Sequence, residues 1–172
     1  MAGATPCKDL GTVVSKEPLK TGIEAKDRNS VAQGLSGVLA QTYRLMVKSH
    51  VYHWNVVGPL FMPVHQLTEQ HDENLFAATD EIAERVRALG FPSPHASECR
   101  LELGTISMGN DIGTTRHLIE DLIADHGTLA RGMRKIAKVA EEADDFASHD
   151  LMVTRLALHE KAIWMFRSNT AE

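Results

Sequence analysis

The chain has 172 residues, which suffices for one domain with its own hydrophobic core. Hydrophobic residues make up 43% and aromatic residues only 5%, a balance that favours helices over a β-sandwich. The formal net charge of -5 argues against a protein that simply coats nucleic acid, because phosphate binding needs a basic surface. Cys7 and Cys99 form no CxxC pair, and we expect a cytoplasmic chain with no secretory leader and no membrane span.

The N-terminal third is predicted to consist of a tail followed by one long helix. Residues 1–28 show no sustained periodicity and are expected to form a flexible tail. The first helix is predicted to start at Asn29 or Ser30, either a good N-cap, and to run to about Val56 before a Gly-Pro pair. Its inward stripe consists of Val31, Leu35, Val38, Leu39, Leu45 and Met46.

A second helix is predicted from between Phe61 and Pro63 to Gly90. Its apolar residues recur at spacings of three and four: Val64, Leu67, Leu75, Ala78, Ile82, Val86 and Leu89. The Gly- and Pro-rich residues 91–113 follow, with a short extra helix expected at about residues 96–103.

Two further helices complete an all-α, antiparallel four-helix bundle at residues 29–170. The third helix is predicted from about Thr114 to Glu142, and the fourth from about Ala147 to Ser168. The residues predicted to face inward are Leu118, Leu122, Leu129, Met133, Ile136 and Val139 on the third helix, and Leu151, Leu158, Ile163 and Phe166 on the fourth.

The second helix carries a polar face that points away from the predicted core. At about 100° per residue, this face lies roughly opposite the apolar stripe. It holds His65, Glu69, Phe76, Asp80 and Glu84. A solvated surface is the ordinary explanation for such a face, but the phenylalanine on it indicates a surface that another molecule covers.

The polar positions on this face are symmetric along the sequence. The pair His65 and Glu84 has the same midpoint as the pair Glu69 and Asp80. If two copies of the helix pack antiparallel across a twofold axis, each residue meets the other member of its pair. Within one helix, His65 and Asp80 are 15 residues apart, about 22 Å, and cannot share a metal ion. We therefore expect two equivalent sites per dimer, each built by both chains.

His53 lies at the end of the first predicted helix, where the short connection lets it approach His65. Two histidines with two carboxylates suit Fe(II), and could also bind Zn(II) or Mn(II). Tyr52 and Trp54 adjoin this position. They either quench stray one-electron oxidants or pack at the dimer interface.

The remaining histidines are expected to play structural or surface roles. A hydrogen-bonded structural role is favoured for His50 over one beside the metal. His71 falls on the apolar stripe and is expected to be a satisfied core residue. No metal role is assigned to the other five: His95, His117, His126, His149 and His159.

Three segments together resemble the signature of the Dps family of mini-ferritins. They are KSHVYHW at 48–54, the G-x-x-F-x-x-x-H step at 58–65, and DEIAER at 80–85. The match covers most of residues 30–168, and the combination is far more specific than a lone HxxH. The resemblance implies a ferritin-like bundle that assembles as twofold dimers into a hollow dodecamer.

The resemblance also implies a ferroxidase site with two iron ions, shared between subunits. By position, His53 and His65 come from one subunit, whereas Asp80 and Glu84 come from its dyad mate. Glu84 is the expected bridge between the irons, and Glu69 stands where the family usually has Asp. Hydrogen peroxide or dioxygen would be the oxidant, and ferric mineral would be stored inside. The Glu-x-x-His motif of sites within one bundle is absent from the sequence.

Two further features have open interpretations. Asp125 resembles the acidic pore position of the family, and Asp121 one turn earlier is either part of that pore or an ordinary solvated residue. DNA compaction in a nucleoid-associated protein is the alternative function, with Lys8, Lys16 and Lys20 as candidate contacts. A helical metal-binding module without catalysis, loaded with zinc, is the third possibility.

Overall fold

The computed structural model describes residues 19–93 and 113–171. This part of the chain forms four helices and no strand: α1 Ala25–Asn55, α2 Phe61–Ala88, α3 Thr115–Glu142 and α4 Phe146–Ser168. Helix α1 packs along α2, and α3 along α4, while α1 also contacts α3. The all-α four-helix prediction is confirmed. The predicted short helix at 96–103 and both cysteines lie outside the described residues.

Helix α1 begins at Ala25, so the predicted start at Asn29 or Ser30 was wrong. Arg28 lies inside the first turn and is buried, at 7% exposure. Its guanidinium donates to the carbonyl of Ile23 at 3.2 Å and to that of Leu89 at 3.0 Å. These bonds tie the start of α1 to the end of α2, which stabilises the first turn without a capping side chain.

The connection between α1 and α2 is tight, and it brings the two predicted histidines together. Gly58 adopts a φ of 86°, in the left-handed region that favours glycine. Its carbonyl accepts from the amide of Phe61 at 3.0 Å, which starts α2. His53, in the last turn of α1, therefore lies next to His65 in the second turn of α2.

The predicted inward stripes of α1 and α2 are buried with one exception, Met46, which packs half-buried against the core. The stripe predicted for α4 was wrong in part: Leu158 is 36% exposed, and Leu151 and Ile163 are only partly buried. The residues that α4 buries are instead Ser148, Met152, Arg155, His159, Ala162 and Phe166. Helix α4 therefore places a cation and an imidazole where apolar residues were expected.

A buried polar cluster fixes the start of α4. Asp145, 1% exposed, caps the helix by accepting from the amide of Ser148 at 3.0 Å. Arg85 of α2 donates to the Asp145 carboxylate at 2.6 Å and to the Ser148 hydroxyl at 2.8 Å. The capping carboxylate thereby gains a counterion, so the same contact joins α2 to α4. In the described residues, no helix is both long and apolar enough to cross a bilayer.

Candidate metal centre

His53 and His65 form a stacked pair at the junction of α1 and α2. Their ring centroids are 3.8 Å apart, with 17° between the ring planes. Nδ1 of His53 lies 3.0 Å from the carbonyl oxygen of His65, and Nδ1 of His65 lies 2.9 Å from that of His53. Thr68 adds a contact from its hydroxyl to Nδ1 of His53 at 3.2 Å. Each imidazole is thus oriented by the backbone of the other.

This reciprocal bonding decides which nitrogen of each ring can bind a metal ion. A carbonyl oxygen only accepts, so each Nδ1 must carry the proton. In the neutral ring, Nε2 then keeps its lone pair, the form in which imidazole ligates metals. Within the described part of the chain, neither Nε2 has a hydrogen-bond partner. Orientation of a ligating histidine through its second ring nitrogen is typical of metal centres.

Aromatic side chains surround the histidine pair. Phe61 stacks on His65 with ring centroids 4.9 Å apart. On the other side, His50 lies edge-on to His53 at 6.2 Å and packs against Trp54 at 4.9 Å. Trp54 is 66% exposed in the isolated protomer. His50 thus contacts both His53 and Trp54, and the Trp54 ring is left largely open to solvent in the protomer.

The predicted carboxylate ligands occupy the outer face of α2. Glu69, Asp80 and Glu84 are all exposed. Because α2 is one continuous helix, Asp80 lies about 22 Å along the axis from His65. One protomer therefore presents His65, with Glu69 one turn away, and the pair Asp80 and Glu84 at opposite ends of the same face. Across the described ranges, no three His, Cys, Asp or Glu side chains of one protomer are grouped to hold a metal ion.

The two aspartates predicted to line the pore, Asp121 and Asp125, form ion pairs with a buried lysine. Lys48 Nζ contacts Asp121 Oδ2 at 2.7 Å and Asp125 Oδ2 at 2.6 Å. Arg44 lies 3.7 Å from Asp125, and the Tyr52 hydroxyl donates to Asp121. Both carboxylates are thus paired with cations inside the subunit. Asp121 joins α1 to α3 through Lys48 and Tyr52, and the pore roles of Asp121 and Asp125 stay predictions.

The tyrosine next to His53 is bound within this cluster. Burial raises the pKa of the Tyr52 phenol, and its bond to the Asp121 carboxylate raises it further. Burial would raise the pKa of Asp121 as well, but hydrogen bonds from Lys48 and Tyr52 outweigh it and hold that pKa below its usual value. The phenol is therefore a neutral donor and the carboxylate an anionic acceptor.

Asp72 was not singled out in the sequence, although it lies close to the histidine pair. It is 8% exposed, and burial raises the pKa of its carboxyl, partly offset by Ser49, His50 and His53. An acidic residue at an inward position of α2, between Thr68 and Leu75, was the available signal. Its partners, which come from α1, could not be read from helix periodicity.

Comparisons with known proteins place the chain in a family. Residues 32–172 match the ferritin-like domain. The chain is 36% identical to the uncharacterised low temperature-induced protein all0458 of a Nostoc species, over 87% of this chain and 85% of that protein. It is 30% identical to DNA protection during starvation protein 1 of Deinococcus radiodurans, over 92% of this chain and 77% of that protein.

Solved structures agree with these relatives. Dps from Thermosynechococcus elongatus is 29% identical and superposes with a TM-score of 0.77 over 86% of this chain and 94% of that one. Dps from Bacillus brevis is 28% identical, with a TM-score of 0.75 over 87% of this chain and 100% of that one.

The bundle and these matches define the chain as a member of the ferritin-like class. Within that class it belongs to the Dps family of mini-ferritins, because the relative from Deinococcus radiodurans is a DNA protection during starvation protein and the two solved structures are Dps proteins. The family resemblance drawn from the sequence motifs is confirmed.

Proposed function

We propose that this protein oxidises Fe(II) at sites shared between two subunits and stores the ferric product in a hollow dodecamer. The observation that carries the proposal is the stacked pair of His53 and His65, each with Nε2 left as a metal-binding lone pair. Iron is the substrate, and Zn(II) or Mn(II) could take its place at the same ligands.

The carboxylates of the site are supplied by a second subunit in this proposal. Antiparallel packing of two α2 helices brings Asp80 and Glu84 of the partner to His53 and His65. The exposed apolar side chains near this face support a covered surface, since monomers rarely leave such patches open. They are Trp54, Val57, Phe61, Met62 and Phe76, each between 38% and 70% exposed.

Each group at the site has a distinct role. Glu84 bridges two iron ions, Asp80 binds one of them beside His53, and the second ion lies towards His65. Glu69 stands one turn beyond His65, where its longer side chain reaches the second ion less directly than an Asp would. Trp54, packed on His50, supplies an electron to any one-electron oxidant that escapes the site.

The reaction balances with peroxide as a two-electron oxidant. Two Fe(II) ions each lose one electron, the O–O bond of hydrogen peroxide breaks, and two waters join the product. The result is two FeOOH units and four protons, which leave to solvent. Pairing the two irons limits one-electron reduction of peroxide, and hence hydroxyl radical release. Dioxygen is the alternative oxidant, and ferric product collects on the inner wall of the shell.

The double variant Asp80→Ala/Glu84→Ala tests this proposal. Stopped-flow absorbance after anaerobic Fe(II) loading and peroxide addition should show the initial oxidation rate reduced by at least about tenfold, because both anionic ligands are lost. The double variant Glu141→Ala/Glu142→Ala removes the same charge from the exposed end of α3 and should oxidise iron at the normal rate. Unchanged kinetics in the α2 variant would rule the site out.

DNA compaction is the second candidate, and the names of relatives such as DNA protection during starvation protein 1 favour it. The chain's formal charge of -5 works against phosphate binding by the whole surface. Lys20 is exposed, whereas Lys8 and Lys16 lie outside the described residues. Contact between this tail and DNA, and a cytoplasmic or nucleoid-associated location, remain predictions.

A further inference from the structure

A pocket separate from the histidine pair opens between α2, α3 and α4. It has a volume of about 160 Å³, room for several water molecules. Three imidazoles line it, from His71, His126 and His159, together with the cationic side chains of Arg155 and Lys161. We propose that this pocket binds a small inorganic oxyanion of the size of phosphate. The proposal is independent of iron oxidation.

The first argument is the buried guanidinium of Arg155. The residue is 4% exposed, and its one hydrogen bond in the described chain runs from Nη2 to the Asn74 amide oxygen at 2.7 Å. Its Nε–H is buried without a partner. Among the described residues, Glu81 is the carboxylate whose charge raises the pKa of Arg155 against the effect of burial, yet it forms no ion pair with the guanidinium. A buried cation without a counterion is costly, and a bound anion removes that cost.

The second argument is the pairing of two buried histidines. Nδ1 of His126 and Nδ1 of His159 are 2.9 Å apart, so one ring donates the proton and the other accepts it. Each Nε2 is buried and has no hydrogen-bond partner within residues 19–93 and 113–171. Because the two rings must be opposite tautomers, one Nε2 carries a spare proton and the other a lone pair. The pair therefore offers one N–H donor to a ligand, or to a water beside it.

His71 adds a third unpaired imidazole nitrogen, so its expected role as a satisfied core residue was wrong. Its ring lies 5.3 Å from that of His126 and 5.0 Å from that of Phe166, and its Nδ1 is buried without a partner. The permanent positive charge at the pocket comes from Arg155 and Lys161.

The charges around the pocket favour an anion over a metal ion. Three imidazoles suggest a transition metal, but none of the described residues that line the pocket is Asp or Glu. Arg155 and Lys161 would repel a divalent cation there. A tetrahedral oxyanion, in contrast, accepts from the guanidinium Nε–H, from a histidine Nε2–H and from the lysine ammonium at the open side.

Calorimetric titration of inorganic phosphate into the iron-free assembled protein tests the proposal. We expect saturable binding of one phosphate per subunit at millimolar concentrations or below. Arg155→Gln should weaken binding by at least about tenfold, because the buried charged donor is lost. Lys161→Gln, at an exposed position, should weaken it by a smaller factor. Arg134→Gln removes an exposed cation on α3 outside the pocket and should leave binding unchanged.

A crystal soaked in arsenate provides a second measurement if Arg155→Gln does not fold. The anomalous signal of arsenic should appear in the pocket, within hydrogen-bond distance of Arg155 Nε. The proposal is overturned if no saturable phosphate binding occurs, if Lys161→Gln binds as the parent does, or if arsenic is found only outside the pocket. Saturable Zn(II) binding that depends on His126 and His159, without phosphate binding, would assign the pocket to a metal instead.

Discussion

Lys48 can be buried in the bundle because two carboxylates pair with its ammonium group. It is 8% exposed and contacts Asp121 and Asp125 at 2.7 and 2.6 Å. Tyr52, the residue before His53, also donates a hydrogen bond from its phenol to Asp121. The two aspartates of α3 therefore hold the segment of α1 that carries His53, a candidate metal ligand.

Replacing Lys48 with Met should destabilise the subunit by about 2 kcal/mol, because two partly buried carboxylates lose their shared counterion. The melting temperature of the iron-free protein measures this loss. Lys138→Met removes an exposed lysine from α3 and should change the melting temperature little.

Adding Asp121→Asn to the Lys48→Met variant should recover part of the lost stability, since it removes one of the two unpaired carboxylates. If Lys48→Met melts like the parent protein, the cluster does not stabilise α1. The pairing of Lys48 with α3 could not be predicted, because periodicity assigns a residue to a face but not to partners 73 positions away.

The candidate metal ligands were nevertheless recognisable from the sequence, residue by residue. His53 and His65 flank a turn marked by Gly58, so a short connection between two helices had to bring them close. Their reciprocal bonds to each other's carbonyls were not predictable, since they depend on the geometry of the two helix ends. Thr68, which contacts Nδ1 of His53 at 3.2 Å, was missed for the same reason.

Among the elements, the end of α2 and the start of α3 were predictable to within about two residues, because Gly90 and the N-cap Thr114 mark them. Helix α4 shows where periodicity fails. Its buried face contains Arg155 and His159, whose bonds to Asn74 and His126 satisfy only part of their hydrogen-bonding capacity. A stripe chosen by apolar character therefore selected Leu158, which the fold leaves at the surface.

Helix α4 depends on α2 through the contact between Arg85 and Asp145. Arg85→Met should cost about 3 kcal/mol, because it leaves a carboxylate that is 1% exposed without its counterion. The loss should appear as faster amide hydrogen exchange in the first turn of α4, with α1 little affected.

Arg87→Met is a matched control for this change. Arg87 lies two residues further along α2, is exposed, and makes only a 3.4 Å contact to the Phe91 carbonyl. Its replacement should leave exchange in α4 unchanged. Equal exchange rates in the two variants would show that the cluster does not anchor α4.

At the scale of the whole molecule, the proposed activity requires a second copy of the chain. In a single protomer, Asp80 lies about 22 Å along α2 from His65, and His53 lies beside His65 at the end of α1. The same face carries Phe76, which is 67% exposed in the isolated protomer. The symmetric spacing of the polar residues on α2 predicted a twofold dimer. The dodecamer was expected from the family resemblance alone.

Phe76→Glu should therefore disrupt both assembly and iron oxidation. In the proposed antiparallel dimer, position 76 faces the partner's Glu73, so the substitution sets like charges against each other in a covered interface. Analytical ultracentrifugation should show the parent near twelve times the 18.9 kDa subunit mass and the variant as smaller species. Phe76→Leu keeps the apolar contact and should preserve the parent's size and oxidation rate. An intact assembly with normal oxidation in Phe76→Glu would contradict the twofold contact, and the shared site with it.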